Sequence, residues 1–150
     1  VLKNTYIIYP LPIKSYSYDI EQPRVFGKTL DSLRTKVISE PLDVLIEIGK
    51  VIQAHLILHK QNKTVDLLGS LWPNDYTRLA RALRPFLPIF FSKNIMIGQL
   101  KNEDVHAWLV DPGISTLDNS NSKQGKLSKK ILIGSYISML LIKSKVQDII

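Results

Sequence analysis

From Asp43 to Leu71 the chain reads DVLIEIGKVIQAHLILHKQNKTVDLLGSL, and its apolar positions support two different periods. Leu45, Ile48, Ile52, Leu56 and His59 recur at spacings of three and four, as on one face of a helix. Ile52, Ala54, Leu56 and Leu58 alternate instead with Gln53, His55 and His59, as along a strand, with Ile57 the one misfit. Val44, Ile46 and Ile48 line one face of the run before, and Val65 and Leu67 open the run after. Gly49-Lys50 suits a two-residue type II′ turn, and Gln61-Asn62-Lys63 is a second polar break. β-branched residues are frequent here and alanine is scarce, which favours strands. The segment is therefore expected to be a three-stranded meander, with a single long helix as the competing form.

Elsewhere the pattern predicts shorter elements. Thr5–Leu11 and Ser15–Ile20 read as strands kept at an edge by Pro10, Pro12 and Pro23, since proline donates nothing to a ladder. Thr29 or Asp31 can cap a helix over Ser32–Ser39 that ends at Pro41. Asn74 or Asp75 can cap a second over Tyr76–Leu83, with Leu79, Ala82 and Leu83 on its inner side and Pro85 and Pro88 blocking continuation. Phe86–Phe91 is an apolar connector. Asn94–Leu100 and Val105–Val110 pair as a hairpin across Lys101–Asp104. Polar 115–126 is expected to be a flexible loop. The terminal run ILIGSYISMLLIKSKVQDII is expected to hold a strand to about Ser135 or a helix after it. The fold class is α+β: one domain, residues 1–150, with an antiparallel sheet built on the meander and the later hairpin, and helices on one face.

Composition narrows the class without naming a function. The 150 residues are 45% hydrophobic and 22% charged, as in a folded chain that buries its own core. With no cysteine there is no disulfide, thiolate metal site or cysteine nucleophile. The longest nearly apolar run, Ile131–Ile142, is shorter than the ~20 residues of a membrane span, so no transmembrane segment is expected. The sequence does not give the compartment, with an intracellular one favoured. Charge is uneven: residues 1–75 carry 9 basic and 8 acidic residues, and residues 76–150 carry 11 and 5, a surplus of six. Such one-sided charge suits an anionic partner, or serves solubility alone.

Candidate chemistry is sparse. Arg78, Arg81 and Arg84 are three apart on a short helix, and Lys126, Lys129 and Lys130 belong to the same basic half; arginines so spaced can meet successive phosphates. His55 and His59 could chelate a metal from a helix, but on a strand they stand about 13 Å apart at ~3.3 Å per residue, so no metal site or other cofactor is expected. His106-Ala107-Trp108, with Leu79–Leu83 upstream, resembles the histidine strand and preceding helix of transglutaminase-like and papain-like peptidases. Arg78 stands where their nucleophilic cysteine would be, so that route is closed and no family is assigned. Trp72–Asp75 resembles a fragment of the biotin protein ligase site and lacks its accompanying motifs. The expected function is a non-enzymatic basic binding module within a larger assembly. It would bind a protein partner through sheet edges or Phe86–Phe91, with nucleic acid as the anionic partner of the second half. A secretion-chaperone-like domain, by element order, and a small hydrolase or transferase using His106 are the alternatives.

Overall fold

The segment with two competing periods forms one continuous helix. The computed structural model describes residues 9–10, 14–15, 20–69, 77–110 and 113–149, and in it Leu42–Lys60 is helix α2. The expected meander is corrected, and Gly49-Lys50 lies inside the helix. Burial decides the matter. Val44, Leu45, Ile48, Val51, Ile52, His55 and Leu56 follow spacings of three and four, and all are buried. A β-branched residue in a helix costs only about 0.5 kcal/mol, whereas burying its side chain contributes ~1.5–3 kcal/mol. The ends agree with a helix as well. Asp43 sits in the first turn and Lys60 in the last, each complementing the helix dipole.

The main sheet joins β1 (Tyr9–Pro10), β7 (His106–Leu109), β6 (Ile95–Gln99) and β4 (Phe26–Thr29), in that spatial order. β4, β6 and β7 are antiparallel, and β1 adds to β7 in parallel. The expected hairpin is present, with Ile97 opposite Ala107 and Met96 opposite Trp108. Gly27 faces Gly98 across the β4–β6 pair. A Cβ on Gly27 would lie 2.0 Å from the Ile97 carbonyl oxygen, so the strands approach too closely for a side chain there. Two smaller pairs complete the β structure of the described residues, β2 (Lys14–Ser15) with β3 (Ile20–Glu21) and β5 (Lys63–Val65) with β8 (Ile114–Thr116).

Among the described residues the remaining helices are α1 (Leu30–Leu33), α3 (Arg78–Leu83), α4 (Pro88–Phe91) and α5 (Lys123–Ile149). The Thr29 hydroxyl caps α1 by accepting from the Ser32 amide, as expected, and a 3-10 segment, Arg34–Ser39, continues it. Thr77 caps α3 by accepting from the Ala80 amide; Asn74, Asp75 and the Trp72–Asp75 turn lie outside the described residues. Pro88 opens α4 where it was expected to forbid a helix, because a first-turn proline forfeits no helical hydrogen bond. The terminal element is helix as far as Ile149, with no strand up to Ser135, and β8 and α5 confine the expected 115–126 loop to residues 117–122. The element order behind the secretion-chaperone analogy included the meander and is not the order found.

The chain is a single α+β domain with its helices on one face of an antiparallel sheet. On that face Ile95, Ile97, Ala107 and Leu109 of the sheet meet Leu45, Ile48 and Ile52 of α2, Ile89–Phe91 of α4 and Met139 and Ile142 of α5. On the other face Val25 and Trp108 are buried, and the Trp108 indole N–H donates to the Gly98 carbonyl at 3.0 Å. No described helix is long and apolar enough to cross a membrane.

Candidate functional site

Helix α5 is apolar on two opposite sides. At 3.6 residues per turn, Ser135, Ser138, Met139, Ile142 and Val146 share one side, and all are buried. Ile133, Tyr136, Ile137, Leu140 and Leu141, again spaced by three and four, share the other side and are exposed, Leu140 by 67% and Ile133 by 52%. The buried side packs along α2 and across the 3-10 segment Arg84–Phe86. Gly134 makes that crossing close, since a Cβ there would lie 2.5 Å from the Pro85 carbonyl oxygen.

Beside the exposed stripe, α5 and α2 leave a groove. It has a volume of about 330 Å³, and Leu56, Ile57, Tyr136, Met139 and Leu140 form its apolar lining, with Gln53, Lys60 and Lys143 at the polar positions. Ile57 is itself exposed. The groove-lining end of α2 and its following strand, 53–65, together with 123–147 of α5, contain eight lysines and no acidic residue. Within these two stretches the positive field is therefore not offset by a carboxylate.

The expected docking segment lies elsewhere. Ile89, Phe90 and Phe91 of the Phe86–Phe91 connector are buried in the core, so that stretch is not a free apolar surface. The phosphate-facing arginine stripe is also corrected. Arg78 and Arg81 are exposed on α3, but Arg84 is only 3% exposed, and its Nη2 donates to the carbonyls of Gly69 at 3.1 Å and Leu68 at 3.4 Å. The inner side expected for α3 is reversed too: Leu79, Ala82 and Leu83 are exposed, and Ala80 packs on the core. Six residues make too short a helix to carry a buried stripe. Arg84, just past its end, turns inward because the Leu68 and Gly69 carbonyls give its guanidinium acceptors. Lys126, Lys129 and Lys130 are exposed on the first turns of α5, and the Lys130 ammonium lies 5.8 Å from the centre of the Phe86 ring.

His55 and His59, expected to be far apart on a strand, are one turn apart on α2, with ring centres 6.4 Å from each other. Both line a second cavity, of about 300 Å³, together with Asp66, Arg84 and Gln124. His55 is 2% exposed, and neither ring nitrogen completes a hydrogen bond, although the Val65 backbone lies near enough to favour the charged form. Burial, aided by His59, pushes the His55 pKa down to about 4. Among the described residues, no three His, Asp or Glu side chains converge as a metal site.

His106 has a partner that sequence spacing could not reveal. Its Nδ1 lies 2.8 Å from one Glu47 carboxylate oxygen, and the other oxygen accepts from the Ala107 amide at 2.6 Å. The carboxylate thus ties α2 to the start of β7 across 59 residues of sequence. Signals for the missed groups did exist: the helical period of α2 places Glu47 and His55 on known sides, and the Ile131–Ile142 run is apolar at every angle around a helix. Compared with protein-family models, with curated proteins and with solved structures, this chain matches none.

Proposed function

We propose that this protein is a non-catalytic binding module, a subunit that docks on a protein partner through the exposed side of α5. The single observation that carries this is the exposed stripe Ile133, Tyr136, Ile137, Leu140 and Leu141. A helix apolar on both sides is ordinarily covered on both. Leaving such side chains in water forgoes ~1.5–3 kcal/mol each, and contiguous exposed apolar patches mark partner sites. The test is site-specific photo-crosslinking from position 140 in cells that make the protein. One discrete protein adduct is expected, lost when Ile137→Glu is added; no discrete adduct would reject the docking role.

Contact with nucleic acid is a second reading, supported by the proximity of Lys130 to Phe86. It sets the lysine-bearing start of α5 against the segment that continues α3, the helix of Arg78 and Arg81. Replacing Arg78, Arg81, Lys126, Lys129 and Lys130 with alanine is expected to weaken oligonucleotide binding. It should also flatten the plot of log K against log salt by ~0.7–0.9 for each phosphate that is no longer neutralised. Fluorescence anisotropy at several salt concentrations measures both, and an unchanged slope would rule out phosphate binding by these residues. A hydrolase or transferase using His106 is less well supported. Both Glu47 oxygens are engaged in the clamp, and His106 lines neither of the two cavities described.

A further inference from the structure

We infer that the occupant of the α2–α5 groove is an amphipathic helix whose apolar stripe is flanked by acidic residues. This rests on the docking role proposed for α5 and adds the chemistry of the partner.

Shape gives the first part. The groove lies between two helices, with Leu56 and Ile57 on one wall and Tyr136, Met139 and Leu140 on the other. A helix presenting side chains at i, i+3, i+4 and i+7 fills such a trough, and its neighbouring turns cover Ile133, Ile137 and Leu141 along the exposed side of α5. A bilayer surface matches a convex apolar ridge, whereas a trough walled by two helices matches the side-chain row of a third.

Charge gives the second part. Lys60 and Lys143 line the groove itself, and Lys126, Lys129, Lys130 and Lys145 lie along the rest of α5. With no carboxylate on the adjoining stretches of either element, Lys60 and Lys143 at the groove are open to carboxylates from the partner. Complementary rims of this kind raise the rate of encounter and exclude basic competitors. The same feature disfavours a second copy of this chain. A two-fold pairing presents the same patch from both sides, and here it would bring two lysine sets together with no acid to offset them.

The test uses the full chain and two fluorescein-labelled peptide helices, each about five turns long, with leucine at i, i+3, i+4 and i+7. One peptide carries glutamates beside the leucines and the other carries lysines. The glutamate peptide is expected to bind at least about tenfold more tightly, a difference set by the rim. Leu140→Glu should abolish its binding. The pair Lys60→Glu and Lys143→Glu should shift preference toward the lysine peptide. All three positions are exposed or partly exposed, so the core is left intact. Equal affinities for the two peptides, or binding to neither, would overturn the inference. So would binding to phosphatidylglycerol vesicles that Leu140→Glu removes while peptide binding is absent, or a dimer in sedimentation that the same change dissociates. A discrete protein adduct from position 140, without preference for the acidic peptide, would reject the acidic helix and leave the docking role standing.

Discussion

Lowering the pH from 7 to 4 is expected to remove about 3 kcal/mol of folding stability through His55 alone. The imidazole is 2% exposed, and its pKa is pushed from 6.5 down to about 4, first by burial and then by His59 one turn away. In the unfolded chain the same ring takes up its proton near pH 6.5. Between these values the unfolded state binds more protons than the native state, so stability rises with pH across this window. It is fully present above about pH 6.5 and is lost progressively as the pH falls toward 4. Depression by about 2.5 units at 1.36 kcal/mol per unit gives the size of the effect. Urea denaturation at steps between pH 7 and pH 4, for the wild type and His55→Leu, would measure it. Leucine fills much of the space and cannot charge. The variant should therefore lose less stability on acidification, and the difference between the two proteins should be about 3 kcal/mol. Carboxylates that titrate in the same range are common to both proteins and cancel in that difference. Parallel curves would show that His55 is not held neutral by burial.

Gly134→Ala is expected to destabilise the protein by about 2 kcal/mol, and Gly134→Val by about 3 kcal/mol or more, as overpacking against a fixed neighbour does. The sign makes this informative. In an exposed helix interior, glycine to alanine is favourable by about 1 kcal/mol. At position 134 the added methyl would meet the Pro85 carbonyl oxygen at 2.5 Å and the Phe86 carbonyl carbon at 2.7 Å. These are backbone atoms of the 3-10 segment, whose Pro85 and neighbouring Arg84 are buried, and they cannot swing aside as a side chain would. The helix must back away from them, and the packing of Ser135, Ser138 and Met139 loosens with it. Chemical denaturation of the two variants beside Ser144→Ala, an exposed position on the same helix, separates helix propensity from the crossing. A gain in stability for Gly134→Ala would mean that α5 does not approach the 3-10 segment as closely as described.

Local chemistry made several elements legible. The hairpin of β6 and β7 follows from two alternating apolar runs around a polar four-residue break, and it forms within one residue of its expected ends. Thr29 as a helix cap follows from a hydroxyl two residues ahead of Asp31 in a chain turning helical. The α+β class, the buried Trp108 and the uneven charge were likewise open to reading from order and composition.

What the linear sequence left undecided was each choice made by burial at long range. Residues 43–60 satisfy a two-residue and a 3.6-residue period at once. The helix prevails because Ile48 and Ile52 reach strand and helix partners distant in sequence, and no local propensity contains that packing. The same distance hid the Glu47 clamp on His106 and Ala107, and it hid the inward turn of Arg84 toward the Leu68 and Gly69 carbonyls. For α5 the division is sharpest. By itself the sequence determined a run apolar at every angle; only the tertiary structure decided which side is buried, with Gly134 against the 3-10 segment and Ser135 and Ser138 beside it, and so left Ile133, Ile137 and Leu140 facing outward. Small residues permit the closest approach of a neighbouring backbone, and the larger side chains on the opposite side are those a partner must cover.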